Sequence, residues 1–531
     1  VSVYVITYDV GTTGIKTCIF EIADSIKMVA SAVQGYKLYI EKSGGAEQDP
    51  AEWWDAMCST TVKVLEESKI SSEKIQGISF CSQMQGLILV DKNGDPVRRS
   101  MSYMDQRARR EMKEGIESGP KIAGLNIYKL IKSLRITGVV AASVKDPVWK
   151  YNWVKHNEPE NFKRVYKWLD VKEFLILKCT DNFVMTKDSA FGTMLYDIRK
   201  GKNCFSREMC EMLGVNPEHM PKIAGSTDMV GKLTEKAAME LRLKEGTPVF
   251  GGGGDASLIG VGAGSVEEGS THIYSGTSGW VSTVVKKRAV DLSSMIASIV
   301  GADDNYYNYF AELETAGKCL EWVKDHLALD EINIYLKKVS VANSIESLYV
   351  NLYDFMLAEI NDTPAGSHGV IFTPWLHGNR CPFEDPNARG MFFNISLETG
   401  KRDLIHAVVE GICYHLRWQL EMQRKKVTTS DTIRFVGGGA LSTLTCQLIS
   451  DILGCEIETV DNPQNVGAMG AAVIVAVGLG ILEKIEDADK LIKVSKVYHP
   501  NPDNKAVHDR NFKVFKSLYK NNKKSFSIIN S

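Results

Sequence analysis

Asp9-Val10-Gly11-Thr12-Thr13-Gly14 ends one short apolar run, residues 3–8, and a second, residues 15–22, follows it. The pattern predicts strand, tight polar turn, strand. A phosphate needs many N–H donors at close range. Glycine allows positive φ and close backbone approach, and threonine adds a hydroxyl. The turn of Gly11, Thr12 and Thr13 suits that role, and so does Gly276-Thr277-Ser278 after the strand expected at 271–274. Neither is Gly-x-x-x-x-Gly-Lys-[Ser/Thr], so P-loop chemistry is excluded. A carboxylate beside a phosphate loop has a use when Mg²⁺ lies between them. Asp9 stands where it could do this, directly or through water, and Lys16 adds positive charge. Asp255 follows four glycines, Gly251 to Gly254, where other groups can approach closely. It could take the proton from an attacking hydroxyl during phosphoryl transfer. Gly437-Gly438-Gly439-Ala440 would let a flat adenine lie against bare backbone. Each segment also has a plain structural reading, as a hairpin tip, a tight loop or a close strand–helix contact. Their order along the chain is what joins them.

Certain elements must position these residues. Gln48-Asp49-Pro50-Ala51-Glu52 is a helix start, with Asp49 as N-cap, Pro50 at the first helical position and Glu52 in the first turn. Trp54, Met57, Thr61, Val64 and Leu65 then fall near a 3.6-residue period. Trp53 and Trp54 could wall a ligand site, with helix–sheet packing expected of at least one. Residues 75–80 form a β run leading into Cys81-Ser82-Gln83-Met84-Gln85-Gly86. A second run, 87–90, closes in the turn Lys92-Asn93-Gly94-Asp95. Residues 111–244 read as mostly helical and charged. From Pro248 the chain turns glycine-rich, and this shift places the expected domain boundary between 1–246 and 247–531. Ser442 caps an apolar helix reaching Leu453, and Gln464 to Ala472 opens a small-residue helix. A strand ending in a small polar turn occurs once at the start and twice in the second half. This predicts two α/β halves that present loops to a shared cleft. The Lys- and Asn-rich stretch 516–524 is expected to be a solvated or frayed end.

The chain has 531 residues, enough for two or three domains. Lys and Arg number 63 against 65 Asp and Glu, a formal charge of −2. That balance excludes nucleic acid or an anionic membrane as an advertised partner. A hydrophobic fraction of 44% and a charged fraction of 24% describe an ordinary globular protein. No apolar stretch approaches the ~18 residues of a membrane span, and the first residues lack a basic n-region and a cleavage site, so no signal peptide is expected. Eleven cysteines, an odd number without a Cys-x-x-Cys pair, point to reduced thiols in a cytoplasmic protein. The ten histidines include no His-Glu-x-x-His, which leaves zinc hydrolase chemistry unsupported.

Taken in order, the motifs resemble the FGGY family of carbohydrate kinases over nearly the whole chain, and look most like its xylulokinase-like branch. They are Asp9-x-Gly11-Thr12-Thr13, Gln48-Asp49-Pro50-x-x-Trp53-Trp54, Ser82-Gln83-Met84, Met104-Asp105-Gln106-Arg107, Gly252-Gly253-Gly254-Asp255, Ser275-Gly276-Thr277-Ser278 and Gly437-Gly438-Gly439-Ala440. Pro147-Val148-Trp149-Lys150-Tyr151-Asn152-Trp153 is similar to the first family signature, with Lys145 where a small or aromatic residue is usual. Thr373-Pro374-Trp375-Leu376-His377-Gly378-Asn379-Arg380 is similar to a further family segment, with Asn379 replacing the commoner Glu.

The resemblance implies an α/β fold of two actin-like ATPase (ribonuclease H-like) domains flanking a central catalytic cleft. It places the sugar pocket and first phosphate loop in 1–246, and the base and nucleotide site in 247–531. The implied reaction moves the γ-phosphoryl group of Mg·ATP to a sugar hydroxyl. Asp255 matches the catalytic base, and with Asp9 it would hold Mg²⁺. Asp9, Gly11, Thr12 and Thr13, with Lys16 beside them, match the first phosphate loop, and Gly276 and Thr277 match the second. Gly438, Gly439 and Ala440 match the adenosine motif. Gln83, Met84, Gln85, Tyr103 and Asp105 match positions lining the sugar pocket, which Asp255 also faces. The implied partners are a small-molecule sugar and ATP, with no nucleic acid and no membrane, and the implied assembly is a homodimer. Two departures bear on the substrate. Gln85 stands where xylulokinases typically have His, and Ala256 stands where Asn often follows the base. Losing a hydrogen-bonding group can change preference by orders of magnitude. D-xylulose leads, and ribulose, gluconate, glycerol or a similar polyol or aldonate fits the same machinery. A sugar sensor without turnover would not need Asp9, Asp255 and both phosphate loops. An actin-like ATPase acting on proteins would not need the sugar-kinase motifs. Trp280 could narrow the pocket, and core packing is the simpler expectation.

Overall fold

In the computed structural model, which describes residues 2–122, 124–291, 293–327, 357–358 and 360–530, the apolar run before Asp9 forms strand β1, Val3–Val10. It pairs antiparallel with β2, Gly14–Ile22, in a register that sets Asp9 opposite Lys16. Beside β1 runs the parallel strand Ile75–Ser82, with Asp9 opposite Cys81 and Val10 opposite Ser82. The short strand Gly253–Gly254 pairs parallel with the end of that same strand, at Cys81 and Ser82. Three strands therefore end at one edge of one sheet. The full sheet adds Met229–Lys232 and Pro248–Phe250 on one side and Ile26–Gly35 on the other.

Helix α1, Pro50–Ser68, starts as its residues require. The Asp49 carboxylate accepts from Ala51 N at 3.0 Å, Pro50 needs no N–H partner, and Lys69 ends the helix at φ +58°. Trp53 and Trp54 are both buried. Two hydroxyl pairs fix the helix to the hairpin: Tyr8 with Thr61 at 2.8 Å and Thr17 with Thr60 at 2.7 Å.

The chain packs as two compact units. The first comprises residues 1–262, 300–305 and 467–492, and the second 263–299, 306–466 and 493–531. The division expected at 246/247 falls inside the first unit, because Pro248–Phe250 and Gly253–Gly254 are strands of its sheet. The glycine run there answers a close approach of backbones. At Gly252, with φ +69°, a Cβ would lie 2.2 Å from the Phe80 carbonyl oxygen. Helix Val466–Gly478 also packs on the first unit from Gly467 onward. Its small residues admit the neighbours: a Cβ on Gly470 would meet the Leu258 carbonyl oxygen at 2.2 Å. The stretch 111–244 is helical over less than half its length, including Pro147–Asn157 and Val171–Thr180, and short strands such as Lys167–Leu169 and Val184–Thr186 interrupt it, so the expectation of a mostly helical segment holds only in part.

The second unit is built on a sheet in the order Val290–Asp291, Ile296–Val300, Tyr307–Leu313, Gly279–Val285, Thr271–Ser275, Thr432–Val436, Glu456–Val460, Val494–Tyr498. Thr271–Ser275 and Thr432–Val436 run parallel, so the loops after Ser275 and Val436 leave from neighbouring strand ends. Ser442 Oγ accepts from Thr445 N at 3.2 Å and caps helix Thr443–Leu453. Residues 516–524 are not a frayed end. They belong to helix Lys505–Asn530, which buries Phe512, Phe515, Leu518 and Phe526, while Tyr519 stacks on Phe383 with centroids 3.5 Å apart. The lysines mark only its solvated face. All eleven cysteines are free thiols, eight of them buried. Among the described residues no helix is long and apolar enough to cross a membrane.

The long helix Lys401–Arg424 carries a buried histidine with a defined tautomer. His415 Nε2–H donates to Cys381 O at 2.7 Å, while Nδ1 accepts from the Trp375 indole N–H at 3.2 Å. A proton on Nδ1 would face a donor, and burial holds this imidazole down to about 4. His272, His406 and His508 are likewise lowered to about 4, chiefly by burial. The unfolded chain binds their protons from about pH 6.5 downward and the folded chain does not. Stability therefore falls as pH drops from 6.5 to 4, by about 2 kcal/mol per histidine at pH 5. Glu410, raised to about 7 by burial, runs the other way and offsets part of this. Urea unfolding of His415→Gln, whose amide can keep both bonds without titrating, should show a shallower loss from pH 7 to 5 than the parent. An equal loss would exclude His415 as a contributor.

Candidate active site

The edge where the three parallel strands end gathers residues far apart in sequence. Asp9 closes β1, Cys81 and Ser82 close their strand, and Asp255 begins helix Asp255–Gly262 directly after Gly254. The Cys81 thiol lies among the carboxylates of Asp9, Asp255 and Asp188, and burial together with these charges pushes it well above its usual range. Burial also raises the Asp9 carboxyl above the ordinary carboxylate range, against the pull of Lys16 and the hydrogen bond to Cys81. Gly467 leaves room for this arrangement, since a Cβ there would sit 2.8 Å from Asp9 Oδ2 and 3.0 Å from Cys81 Sγ. Asp255 is half-buried, and its Oδ1 accepts from Ala256 N at 2.8 Å.

Among the described residues no group of three or more His, Cys, Asp or Glu could hold a metal by itself. Two hard carboxylates on backbone cleared of side chains fit Mg²⁺, which takes one or two carboxylates and completes its shell from phosphate and water oxygens. They do not fit an all-protein cage.

The turn after Asp9 is braced through its carbonyls. Gly11 N donates to Gly14 O at 2.9 Å, Tyr36 N to Thr13 O at 3.1 Å and Tyr36 OH to Gly14 O at 3.0 Å. The Thr12 carbonyl accepts from Gln48 Nε2 at 2.7 Å, and Gln48 Oε1 accepts from Gln83 Nε2 at 3.0 Å. Gln48 thus ties the turn to the segment after the neighbouring strand. Sequence reasoning gave Gln48 no role in the site, although its place just before the capped helix start marks where it must sit. Tyr103, 36% exposed, lies 3.4 Å from Thr12 Oγ1 through its hydroxyl.

Gln83 is buried. Met84 lies against Gly254, where a Cβ would come within 2.1 Å of its sulfur, so it borders the backbone that leads into Asp255. Gln85 is half-buried and adopts φ +63°, rare for a side-chain-bearing residue and worth a functional question wherever it occurs. Asp105 differs from the other expected sugar residues. It is fully buried, and its oxygens accept from Ala46 N at 2.9 Å and from Arg107 Nη2 at 2.7 Å. A sugar hydroxyl would have to displace one of those bonds. Motif matching locates the residue and carries no information about this pairing.

Sequence reasoning also missed Asp188. Its Oδ2 accepts from Gly254 N at 2.7 Å, and its Oδ1 from Thr186 Oγ1 at 2.5 Å and Ser189 N at 2.9 Å. Burial works against its charge, but Lys172, at 3.9 Å, and these donors outweigh it and hold the carboxyl low. Asp188 therefore anchors the residue before Asp255. The polar run Thr186-Lys187-Asp188-Ser189 after buried Val184 and Met185 was the available signal.

In the second unit the loop Gly276-Thr277-Ser278 is pinned by the start of helix Gly317–His326. Gly317 N donates to Gly276 O at 2.8 Å and Lys318 N to Thr277 O at 3.2 Å. Gly276 passes against Tyr274, whose hydroxyl would lie 2.1 Å from a Cβ. Trp280 is a core residue. It stacks on Tyr274 with centroids 4.2 Å apart, and its indole N–H donates to His272 Nε2 at 3.1 Å. Gly437, at φ +92°, opens the turn Gly438–Leu441. A Cβ on Gly439 would meet Ser275 Oγ at 2.8 Å, whereas one on Gly438 would meet nothing within 4 Å. Asn379, where the resemblance expects Glu, closes its own loop by donating to Phe383 O at 2.8 Å.

Known proteins match this chain over most of its length. The model of the N-terminal domain of the FGGY family of carbohydrate kinases matches residues 4–262, and that of the C-terminal domain matches residues 272–479. A xylulose kinase of Staphylococcus epidermidis is 29% identical over 528 residues, 98% of this chain and 97% of its own. Two solved structures from Lactobacillus acidophilus superpose with TM-scores of 0.83 at 25% identity. One is a gluconate kinase covering 100% of both chains, and the other a ligand-bound xylulose kinase covering 99% of both.

Proposed function

The chain belongs to the FGGY family of carbohydrate kinases, and from that premise we propose that it phosphorylates a ketose, D-xylulose first, with Asp255 as general base. One observation carries the reading: Asp9 and Asp255 flank Cys81 at the ends of parallel strands, next to Met84 and the braced turn of residues 11–14. Carboxyl ends of strands are where ligands bind in open α/β sheets.

In this reading Asp255 accepts the proton of the acceptor hydroxyl as its oxygen bonds to the γ-phosphorus. The bond from that phosphorus to the bridging oxygen breaks, and ADP carries away the electron pair. Asp9 and Asp255 would hold Mg²⁺, which neutralises charge on the phosphate oxygens when bound. Lys16 and the N–H groups of Thr12 and Thr13 serve the same phosphates, on a turn that Gly11 closes through its N–H to Gly14 O at 2.9 Å. In the second unit, Gly276 and Thr277 serve phosphate, and Gly438, Gly439 and Ala440 leave a side-chain-free surface for adenosine. Gln83, Met84, Gln85 and Tyr103 meet the sugar.

Gluconate is the second reading. It is supported by Gln85 and Ala256, which depart from the xylulokinase pattern, and by the likeness to a gluconate kinase. ADP release with Mg·ATP, measured across ketoses, polyols and aldonates, tests both. Strong turnover on D-xylulose upholds the first. Turnover on an aldonate instead moves the substrate and keeps the chemistry. Silence across the panel with ATP still bound overturns both substrate readings and points to a sensor or to a sugar outside the panel.

A further inference from the structure

Lys150, on helix Pro147–Asn157, is fully buried, and its ammonium has two carbonyl partners. It donates to Gln85 O at 2.7 Å and to Ser102 O at 2.9 Å. Those carbonyls belong to different loops. One carries Met84 and Gln85. The other leads into Tyr103, and its Ser102 carbonyl also accepts from Asp105 N at 3.1 Å. On the other side of the Gln85 peptide stands Asp170, also buried. Its Oδ2 accepts from Gln85 N at 2.8 Å and its Oδ1 from Gly86 N at 2.9 Å. Oδ1 accepts in addition from Val171 N at 2.8 Å, at the start of helix Val171–Thr180. Gln85 is thus gripped at both its N–H and its C=O by charged groups on two separate helices.

The grip coincides with the unusual backbone. A glutamine at φ +63° persists only where its surroundings over-determine it. Hydrogen bonds to an ammonium and a carboxylate are among the strongest a peptide can make. Burying two charged groups is costly without such partners. We propose that Lys150 and Asp170 are positioning residues for the acceptor sugar: they lock the Gln85 peptide in the left-handed conformation that aims its amide side chain, and Lys150 holds the Tyr103 loop in register with it. This rests on the reading of Gln85 as a sugar contact. It makes the position of the amide, and not only its identity, a determinant of which acceptor is used.

The test is steady-state kinetics with D-xylulose, or the panel acceptor that replaces it, in full-length variants whose folding is verified by circular dichroism. Lys150→Met should raise the acceptor KM at least tenfold and leave the Mg·ATP KM within twofold. Asp170→Asn should act in the same direction, since one of its two acceptor oxygens becomes an NH2 group that faces an N–H donor. Gln85→Ala should itself raise the acceptor KM. On that background Lys150→Met should add less than threefold, because the side chain it positions is gone. Parallel rises in both KM values, or full multiplication in the double variant, would overturn the proposal and leave Lys150 a plain structural residue. An unchanged acceptor KM in Gln85→Ala would overturn the sugar-contact reading itself, and the clamp with it. Should either charged variant fail to fold, hydrogen exchange on the unmutated protein decides. The Gln85 and Gly86 amides should exchange slowly without ligand, and exchange at the rate of open loops would overturn the clamp.

Discussion

Asp255→Asn is expected to bind Mg·ATP and transfer almost none of it to sugar, with kcat reduced by roughly two to four orders of magnitude. Asparagine keeps the size of the side chain and can still accept from Ala256 N, the bond Asp255 makes at 2.8 Å. What it loses is the basic oxygen. The half-buried carboxylate starts its helix on a strand braced by Asp188 through Gly254 N at 2.7 Å, so the backbone geometry should survive the change. Calorimetric titration with ADP or a non-hydrolysable ATP analogue should return a Kd within a few-fold of the parent. Full activity would remove Asp255 from the role of base. Loss of nucleotide binding together with turnover would assign the effect to the hold of Asp255 on Mg²⁺ or to structure, and would leave its role as base without support.

The second large effect concerns the glycine run before that base. Gly252→Ala should destabilise the protein by roughly 3–5 kcal/mol and cut activity even in the folded fraction. Two costs add. The residue sits at φ +69°, which costs an L side chain about 1–2 kcal/mol. Its Cβ would also stand 2.2 Å from Phe80 O and 3.0 Å from Phe80 N, both backbone atoms, so a strand would have to move. That strand carries Cys81, Ser82 and the segment up to Gln85. Gly246→Ala separates the two costs, because Gly246 has φ +77° and nothing within 4 Å of a Cβ. It should lose only about 1 kcal/mol. Urea unfolding of the two variants makes the comparison. Equal, mild losses would mean that the contact with Phe80 relaxes cheaply and that the glycine run does not hold Asp255 in place.

Much of the protein was legible in the sequence because the signals are local. A hairpin tip of Gly11, Thr12 and Thr13, a cap of Asp49 followed by Pro50, and Ser442 before an apolar run each need only neighbours to specify a turn or a helix start. The order of the short motifs added the family and its two α/β halves. The boundary between those halves could not be read this way. Gly252 responds to Phe80, about 170 residues earlier, Gly251 to Gly225 and Gly254 to Met84, and composition registers the glycines without showing what they pack against.

The tertiary structure decided what depends on partners distant in the chain. It carried residues 467–492 back to the first unit and set Gly467 against Asp9 and Cys81. It turned the lysine-rich stretch 516–524 into a packed helix by giving its apolar face the ring of Phe383 and the core around it. It enclosed Asp105 with Arg107, and it gave Gln48, Asp188, Lys150 and Asp170 their tasks. The physical reason is the same in each case. A polar or charged side chain can be buried only where hydrogen-bond partners meet it, and those partners come from strands and helices that the sequence lists far apart. Local propensity chose the elements and the chemistry at their ends, while burial chose which of those residues hold the others in place.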